Sequence, residues 1–417
     1  MTPSTMSPTV SPSGIASTTT PLAATKRASS SSSAILATYK RQAPLFVRGD
    51  GVYMYDETGK AYLDLVAGIA VTALGHADAG VMRAMQEAMA TGLLHTSNLY
   101  RTAPGELLAE WLVSHSFASR VFFCNSGAEA NEGAFKFARR WARSDAAPAK
   151  HEIIALRGGF HGRMPGTLAA TDRPSYRLPF RPLMGGVSIV ERDLDELRTV
   201  LNPETVAAVI VEPIQGEGGV RVIDPQFLRG LRALTRERNV LLILDEIQCG
   251  LGRTGSFFAY EQLGLEPDIL TLAKPLAGGL PMGAILVTDA VAQAIQPGDH
   301  GTTFGGGPLL AHVAHHVVQR LAEPAMLKHV QETGAWFGTQ LHAIAERTGR
   351  VREIRGTGLM WGMDVHESAS TVIARAFEQG LLLVSAGEHT LRFLPPLVIS
   401  RDELSAGLEI LERAIMD

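Results

Sequence analysis

Four polar residues stand directly after short apolar segments, and their side chains are of types that take part in catalysis or binding. Each segment is apolar throughout, which is typical of a strand covered on both faces of a parallel sheet. Open α/β sheets bind ligands at the carboxyl ends of their strands, so we expect the four side chains to converge on one site. The residues are Asn125, Glu212, Asp245 and Lys274.

Lys274 and Asp245 have complementary chemistry. An amine at the edge of a packed interior loses hydration, which lowers its pKa and makes Lys274 a nucleophile towards an aldehyde. A carboxylate such as Asp245, facing a pyridine nitrogen, keeps that nitrogen protonated, and the ring then draws electrons from a carbanion. Gln248 follows Asp245 closely and is placed to donate a hydrogen bond to a ring oxygen. The pair therefore suggests an aldehyde that carries a pyridine ring.

The segment Asn125–Asn131 is a candidate phosphate site. Its sequence, Asn-Ser-Gly-Ala-Glu-Ala-Asn, joins an apolar segment to a helix that we predict over Glu129–Ala142. The backbone N–H groups of Gly127 and Ala128 would be free at the start of this helix, where an anion is favoured. The Gly-Lys-Ser/Thr ending of a Walker P-loop is absent. Phe160, further along the chain, could lie against the face of a bound ring, although by itself it also fits a core position.

The elements that must hold these residues alternate in type. A hairpin is predicted around the turn Glu57–Lys60, and beyond it short apolar segments alternate with helix-length ones such as Pro225–Arg238. This alternation predicts a doubly wound, mostly parallel α/β sheet. The predicted strands of this sheet are Val121–Cys124, Glu152–Leu156, Ala207–Val211, Val240–Leu244, Ile269–Ala273 and Ala284–Val287.

The sequence pattern changes after about residue 305, which predicts a second, smaller α+β domain. Long helical segments, Leu309–Leu321 and Met326–Arg347, come first, and short strands around Arg352–Asp364 and Leu391–Phe393 follow. We therefore divide the chain into a tail at 1–38, an N-terminal segment at 39–75, a large domain at 76–305 and a small C-terminal domain at 306–417.

Composition restricts the class of partner. The 417 residues include 38 Lys and Arg against 42 Asp and Glu, a net charge of −4, which gives no basic field for nucleic acid. No apolar run approaches the roughly 20 residues that cross a bilayer. Cys124 and Cys249 are too few for a disulfide framework and favour free thiols in a reducing compartment. His312, His315 and His316 have helical spacing, but without accompanying carboxylates we expect no metal site there.

Residues 1–38 differ from the rest of the chain. They are crowded with Ser, Thr and Pro, contain no Asp or Glu, and have Lys26 and Arg27 as their only charges. Such a segment cannot bury enough apolar surface to fold. Two interpretations remain open. A disordered tail on a cytoplasmic protein is favoured, because a transit peptide usually contains more arginine, and the alternative is a transit peptide for an organelle matrix or plastid stroma.

Taken together, the motifs resemble those of the class III pyridoxal-phosphate (PLP) aminotransferases. The resemblance runs from about Lys40 to the C-terminus, and six motifs occur in the family's order, which makes chance agreement negligible. The family implies the PLP-dependent transferase fold of type I and a homodimer whose active sites are shared between subunits. The motifs are Asn125–Glu132, Phe160–Arg163, Val211–Gly219, Leu244–Gln248 with Gly252–Gly255, Leu272–Pro275 and His300–Phe304.

The resemblance also implies roles for individual residues. Lys274 would carry PLP as a Schiff base and move the proton between substrate and cofactor, while Asp245 would pair with the pyridine nitrogen. Arg392 would bind the α-carboxylate of 2-oxoglutarate or glutamate, and Glu217 would pair with Arg392 when no α-carboxylate is bound. The further cofactor-binding residues implied are Gly127, Ala128, Phe160, Glu246, Ile247, Gln248 and, from the second subunit, Thr303.

The reaction implied is a ping-pong transfer of the δ-amino group of N-acetylornithine through PLP to 2-oxoglutarate, a step of arginine biosynthesis. Arg163 and Thr302 would contact N-acetylornithine. Other ω-amines stay open as donors, namely succinylornithine, ornithine, 4-aminobutyrate and a lysine precursor, and so does an aminomutase acting on glutamate semialdehyde. The chain departs from the common family pattern at Gly307, Met164–Pro165 and His389–Thr390, and the last two departures lie near the residues implied to bind substrate carboxylates.

Overall fold

The computed structural model describes residues 34–143 and 150–417. Residues 1–33, which include most of the predicted tail, and residues 144–149 lie outside the described part of the chain. Residues 34–44 contain neither helix nor strand, and within them the Thr38 N–H donates to the Leu36 carbonyl at 2.8 Å. Regular structure begins with a strand at Phe46.

The strands of the described residues form four sheets. In chain order they are β1 (Phe46–Asp50), β2 (Tyr53–Asp56), β3 (Ala61–Asp64), β4 (Arg120–Cys124), β5 (Glu152–Leu156), β6 (Val187–Val190), β7 (Val206–Val211), β8 (Ile214–Gln215), β9 (Arg221–Val222), β10 (Leu241–Asp245), β11 (Ile269–Leu272), β12 (Gly283–Val287), β13 (Val351–Thr357), β14 (Met360–Val365), β15 (Leu381–Leu382), β16 (Val384–Ser385) and β17 (Thr390–Phe393).

Helices surround these sheets, and a single turn at Ala67–Ala70 is left-handed, with positive φ at all four residues. The right-handed α-helices of the described residues are Ala79–Ala90, Ala103–Ser114, Gly127–Trp141, Pro165–Ala169, Pro174–Arg177, Leu194–Val200, Pro225–Glu237, Asp289–Ala294, Pro308–Leu321, Pro324–Thr348, Ala369–Glu378 and Arg401–Met416.

The largest sheet has the strand order β4-β12-β11-β10-β7-β5-β6. Strands β11, β10, β7, β5 and β6 run parallel to their neighbours in this order, whereas β12 is antiparallel to both β4 and β11. The six predicted strands are all present, and the mostly parallel α/β sheet is confirmed. β6 was not predicted, because this edge strand is short and exposes Ser188 instead of being apolar throughout.

The helix Pro225–Glu237 connects β9 to β10 and packs against the sheet with one apolar face. Asp224 caps it by accepting from the Gln226 N–H, and Pro225 occupies the first turn, where no backbone donor is needed. Its buried leucines recur at helical spacing and form the face that packs inward. The helix leads into β10, which is buried along its whole length and ends at Asp245.

A second sheet, of order β13-β14-β17-β16, is antiparallel and contains the predicted C-terminal strands. In its register Gly362 pairs with Arg392, and Asp364 pairs with Thr390. The predicted N-terminal hairpin is confirmed as β2 and β3, and β15 pairs in parallel with β3. The proposed domain boundaries near residues 38, 75 and 305 stay predictions.

Two further features bear on function. Within the described residues, no helix combines the length and the apolar character needed to span a membrane. Cys124 and Cys249 are free and buried, and burial raises the pKa of Cys124 to about 12. The Cys124 thiol is therefore protonated at neutral pH and a weak nucleophile.

Candidate active site

A cavity of about 430 Å³ lies at the carboxyl ends of the parallel strands. The four side chains that the sequence singled out, Asn125, Glu212, Asp245 and Lys274, all line it. They follow or end β4, β7, β10 and β11, which places them on one edge of the sheet. The other predicted residues in this wall are Gly127, Ala128, Phe160 and Gln248, and, from the resemblance, Arg163 and Ile247.

The Asp245 carboxylate is held by three donors. Its Oδ2 accepts from Asn131 Nδ2 at 2.7 Å and contacts His161 Nδ1 at 2.8 Å, while its Oδ1 accepts from the Ile247 N–H at 3.1 Å. Asn131 is itself oriented by the Thr271 hydroxyl, which donates to its Oδ1 at 2.8 Å. With the residue only 3% exposed, these contacts fix the direction in which the carboxylate faces the cavity.

Asn131 and His161 were not predicted as site residues, although the sequence contained a signal for each. Asn131 lies one helical turn after Gly127 in the same motif, so it points towards the same strand ends. His161 directly follows Phe160. Each of these two residues therefore lies close in sequence to a residue that lines the cavity, and each supports the Asp245 carboxylate.

Lys274 begins a short 3₁₀ helix, Lys274–Ala277, directly beyond β11. The pKa of its amine is lowered from an ordinary value of 10.5 to about 8, first by burial and then by the positive charge of Arg392. The carboxylates of Glu217, Glu212 and Asp245 act in the opposite direction. A larger fraction of the amine is thus neutral near physiological pH than in an exposed lysine.

The start of helix Gly127–Trp141 forms part of the cavity wall. The Ser126 hydroxyl caps the helix by accepting from the Glu129 N–H at 3.2 Å, and the first-turn amides have no carbonyl partner within the helix. A Cβ atom at Gly127 would lie 2.9 Å from Ile247, so the backbone here stays bare. Bare amides at a helix start are a binding site for phosphate.

Glu212 connects the cavity wall to a neighbouring hairpin. Its carboxylate accepts from the Phe160 N–H at 2.8 Å and from the Gly216 N–H at 3.2 Å, which fixes the backbone that carries the Phe160 ring. Burial raises the pKa of Glu212 to about 7, the nearby His161 lowers it, and Asp245 adds to the rise. The sequence identified Glu212 as a strand ending but assigned it no role.

Arg392 and Glu217 form an ion pair beside the cavity. Arg392 Nη1 lies 2.7 Å from Glu217 Oε1 and donates to Gln248 Oε1 at 3.2 Å. The arginine side chain is 1% exposed and the glutamate side chain 22% exposed. A buried guanidinium without a counter-ion would be strongly unfavourable, so Arg392 requires a carboxylate partner.

Arg163 lines the cavity at its exposed edge. Its guanidinium lies 3.3 Å from the centroid of the Tyr176 ring and 5.8 Å from that of Phe160. No carboxylate of residues 34–143 or 150–417 forms an ion pair with Arg163. One face of the Arg163 guanidinium is therefore covered by an aromatic ring, while the N–H donors at its edge are available to a carboxylate from a ligand.

Like Glu217 and Arg392, three further predicted residues do not line this cavity. The Glu246 carboxylate is buried and accepts from the Ala259 and Tyr260 N–H groups, each at 2.7 Å, so it orders the loop after β10. Thr302 Oγ1 accepts from Asn125 Nδ2 at 3.1 Å and does not line the cavity. Thr303 lines a separate cavity of about 530 Å³.

The groups around the first cavity fit a phosphorylated pyridine aldehyde. A buried amine with a lowered pKa, Lys274, lines the same cavity as an oriented carboxylate, Asp245. The bare helix start at Gly127 offers amides for a phosphate, and Phe160 offers an aromatic face. Each part of such a molecule therefore has a chemical partner among the lining residues.

Comparison with known proteins agrees with this chemistry. Residues 36–415 match the family model described as aminotransferase class-III. The acetylornithine aminotransferase of Gloeobacter violaceus is 48% identical over 381 residues, which cover 91% of this chain and 94% of the relative. A crystal structure of N-acetylornithine aminotransferase from Stenotrophomonas maltophilia K279a aligns with a TM-score of 0.79 and 40% identity, covering 90% of this chain and 96% of that one.

The ornithine aminotransferase from Toxoplasma gondii aligns with a TM-score of 0.86 and 31% identity, covering 91% of this chain and 92% of that chain. In that structure PLP partially occupies the active site.

Proposed function

Because the chain belongs to the class III aminotransferase family, we propose that it transfers the δ-amino group of N-acetylornithine to 2-oxoglutarate in arginine biosynthesis. Its cofactor is pyridoxal phosphate. The observation that carries the proposal is the cavity in which Lys274, Asp245 and the start of helix Gly127–Trp141 meet, beside the Glu217–Arg392 pair. The donor is proposed from the relatives named for acetylornithine.

The lining residues would hold the cofactor at each of its parts. Lys274 would bind the aldehyde end, the amides of Gly127 and Ala128 the phosphate, and Phe160 one face of the ring. Asp245 would face the ring nitrogen. When bound, pyridoxal phosphate supplies an aldehyde that takes up an amino group and a ring that draws electrons from the substrate carbon.

Asp245 and Lys274 perform the proton chemistry. The Asp245 carboxylate, oriented by Asn131 and His161, holds a proton on the atom that it faces. Lys274 Nζ would remove a proton from the substrate carbon and deliver it to the cofactor carbon. A pKa of about 8 suits this exchange, because an acid–base group works best when its pKa lies near the operating pH.

Two arginines would recognise the substrate carboxylates. Arg163, at the open edge of the cavity, would bind the carboxylate of N-acetylornithine at the end remote from the reacting δ-amine. Arg392 would bind the α-carboxylate of 2-oxoglutarate, which must displace Glu217. A guanidinium binds a carboxylate through two parallel hydrogen bonds, which fixes orientation as well as charge.

We expect the apoprotein to bind the cofactor faster as the pH rises towards 8. The neutral amine of Lys274 is the reactive form, and below its pKa of about 8 the neutral fraction grows with pH. The second-order rate constant for loading should therefore rise about tenfold per pH unit and then level off. Stopped-flow measurements across this range check it. A rate constant that keeps rising well beyond pH 8 would contradict the lowered pKa.

A substrate panel tests the proposed donor. With 2-oxoglutarate as acceptor, we expect kcat/KM for N-acetylornithine to exceed those for ornithine and 4-aminobutyrate by at least about tenfold. N-acetylornithine presents to Arg163 a carboxylate whose neighbouring α-amine is acetylated and uncharged, whereas ornithine has a charged α-amine there. Ornithine is the second candidate donor, because the ornithine aminotransferase from Toxoplasma gondii aligns with this chain with a TM-score of 0.86. A larger kcat/KM for ornithine or 4-aminobutyrate would overturn the choice. Glutamate formed in equal amount to product separates transamination from an aminomutase.

A homodimer is part of the proposal. Thr303 lines the second cavity together with Leu99 and Tyr100, which are 86% and 71% exposed. Exposed apolar side chains of this size are typical of an interface between subunits. We propose that a second copy covers this surface and that Thr303 reaches the phosphate site of that copy. A monomer in sedimentation experiments at working concentration would contradict it.

We propose a cytoplasmic location, with an organelle matrix as the alternative. The free thiols of Cys124 and Cys249 support a reducing compartment. An intact N-terminus in the mature protein is expected, and N-terminal sequencing that finds cleavage near residues 28–38 would favour the organelle.

A further inference from the structure

The tip of the β8–β9 hairpin carries Glu217, and two arginines hold its backbone. Arg355 Nε donates to the Gly219 carbonyl at 2.6 Å, and Arg173 Nη2 donates to the Glu217 carbonyl. Gly219 and Val220 have φ values of 102° and 54°, in the left-handed region. The turn is therefore a specific conformation held by side chains from outside it.

Arg355 is in turn anchored on the antiparallel C-terminal sheet. Its Nη1 and Nη2 donate to the two oxygens of Asp364 at 3.0 and 2.8 Å. The Thr390 hydroxyl donates to Asp364 Oδ1 at 2.5 Å and accepts from Arg355 Nη2 at 3.3 Å. We call Arg355, Asp364 and Thr390 together the Arg355 tether.

The Arg355 tether fixes both partners of the Glu217–Arg392 pair relative to each other. Thr390 and Arg392 lie on β17 with one residue between them, so their side chains share a face of the strand. Both are buried. At the other end of the tether, Arg355 binds the carbonyl of Gly219, close to Glu217. One network therefore connects the strand of the arginine with the turn of the glutamate.

We propose that the Arg355 tether is a positioning device that holds Glu217 within reach of Arg392 and so sets the balance between the two half-reactions. This inference rests on the proposed function. The Glu217 side chain is 22% exposed and that of Arg392 only 1%. When the substrate α-carboxylate replaces Glu217 as the partner of Arg392, the glutamate side chain therefore rotates away, while the hairpin backbone and the arginine stay in place.

The two half-reactions need opposite states of Glu217. N-acetylornithine presents its δ-amine to the cavity and brings no α-carboxylate to Arg392, so Glu217 must neutralise the buried guanidinium. 2-Oxoglutarate brings an α-carboxylate and must compete with Glu217 for the same donors. A loosened hairpin tip therefore weakens the donor half-reaction, whereas it leaves the acceptor half-reaction unchanged or faster.

Thr390 offers a mild way to loosen the tether, since Thr390→Val keeps the branched shape and removes only the hydroxyl. Arg355→Met removes the contact to the Gly219 carbonyl and the pair with Asp364. It leaves the ion pairs of Arg221, on β9, with Glu353 and Asp364. Single-turnover measurements with each substrate give kcat/KM for the two half-reactions separately. For Thr390→Val we expect about a fivefold loss with N-acetylornithine and no loss with 2-oxoglutarate, the size of one hydrogen bond. For Arg355→Met the same asymmetry should be larger.

Two controls separate positioning from general stability. Arg375→Met removes a comparable bidentate pair, with Glu367 at 2.8 and 3.1 Å, which has no contact with the hairpin, and should change neither half-reaction. In a Glu217→Gln background, Thr390→Val should have no further effect, because the tether acts through the missing carboxylate. Thermal unfolding verifies that each variant is folded.

Binding of glutarate, an unreactive dicarboxylate, provides a measurement that does not require an amino-group donor. Glutarate must also displace Glu217, so Thr390→Val should bind it about fivefold more tightly than the wild type by titration calorimetry. Equal losses in both half-reactions, an effect that persists in the Glu217→Gln background, or unchanged glutarate binding would overturn the tether. A wild-type protein that does not use N-acetylornithine would refute the proposed donor instead, and the glutarate measurement would still test the tether.

Discussion

Replacing Lys274 by alanine is expected to abolish transamination and to remove the visible absorbance of the lysine-bound cofactor. The side chain supplies both the covalent attachment and the atom that moves the proton, and its lowered pKa of about 8 suits both tasks. No other amine lines the cavity within the described residues. We expect kcat to fall by at least about 10⁴-fold, the upper range for loss of a proton-transferring group.

Lys328→Ala is the matched control for this experiment. Lys328 is an exposed lysine whose nearest carboxylate, Glu332 on the same helix, lies 3.7 Å away. Its removal should leave absorbance and kcat unchanged. Added methylamine should restore part of the activity of Lys274→Ala, because a small primary amine fits the space that the side chain leaves. A Lys274→Ala protein that is yellow and active would refute the assignment of this cavity.

Asp245→Asn is expected to lower kcat by about 10³-fold with little change in fold. An amide has nearly the shape of the carboxylate but no charge, so it cannot hold a proton on a ring nitrogen. An amide also offers one acceptor oxygen instead of two, so it cannot serve both the Asn131 and His161 contacts at Oδ2 and the Ile247 N–H at Oδ1. Steady-state kinetics at saturating substrate, together with cofactor affinity, measure the effect.

Asp268→Asn separates this effect from the general loss of a carboxylate. Asp268 lies at the other end of the same strands, where it binds Arg232 at 2.6 and 2.9 Å and accepts from the Leu242 N–H at 2.7 Å. Its substitution should lower the thermal stability and leave kcat of the folded protein unchanged. A similar loss of kcat in both variants would mean that Asp245 acts only through the stability of the sheet.

Much of the cofactor site could be predicted because its residues occupy strand ends and a helix start. Lys274 and Asp245 follow apolar strands, and parallel strands present their carboxyl ends at one edge of a sheet. Gly127 and Ala128 open a helix, where free amides are a property of the helix itself. Such positions follow from local sequence patterns, so they need no knowledge of strand order.

The supporting contacts could not be derived in this way. Asn131 and His161 are 114 and 84 residues from Asp245, and only the packing of the Gly127–Trp141 helix and of the loop after β5 against the sheet brings them to one carboxylate. Glu246 adjoins Asp245, yet its side chain points to the Ala259 and Tyr260 amides, away from the cavity. Neighbours on a strand alternate between its faces, and the sequence alone does not say which face a ligand occupies.

By itself the sequence determined the sheet, the lysine, the carboxylate of the same site and the phosphate-binding helix start, because each depends on residues close together in the chain. Only the tertiary structure decided that Arg355 joins the hairpin tip to Thr390, and it placed Glu217 against Arg392, a pair that the family resemblance had implied and no local pattern indicated. These contacts connect a hairpin beside the parallel sheet to strands of the antiparallel sheet. Their geometry follows from strand register and the packing of elements remote in sequence, and a pairing of that kind leaves no local pattern in the chain.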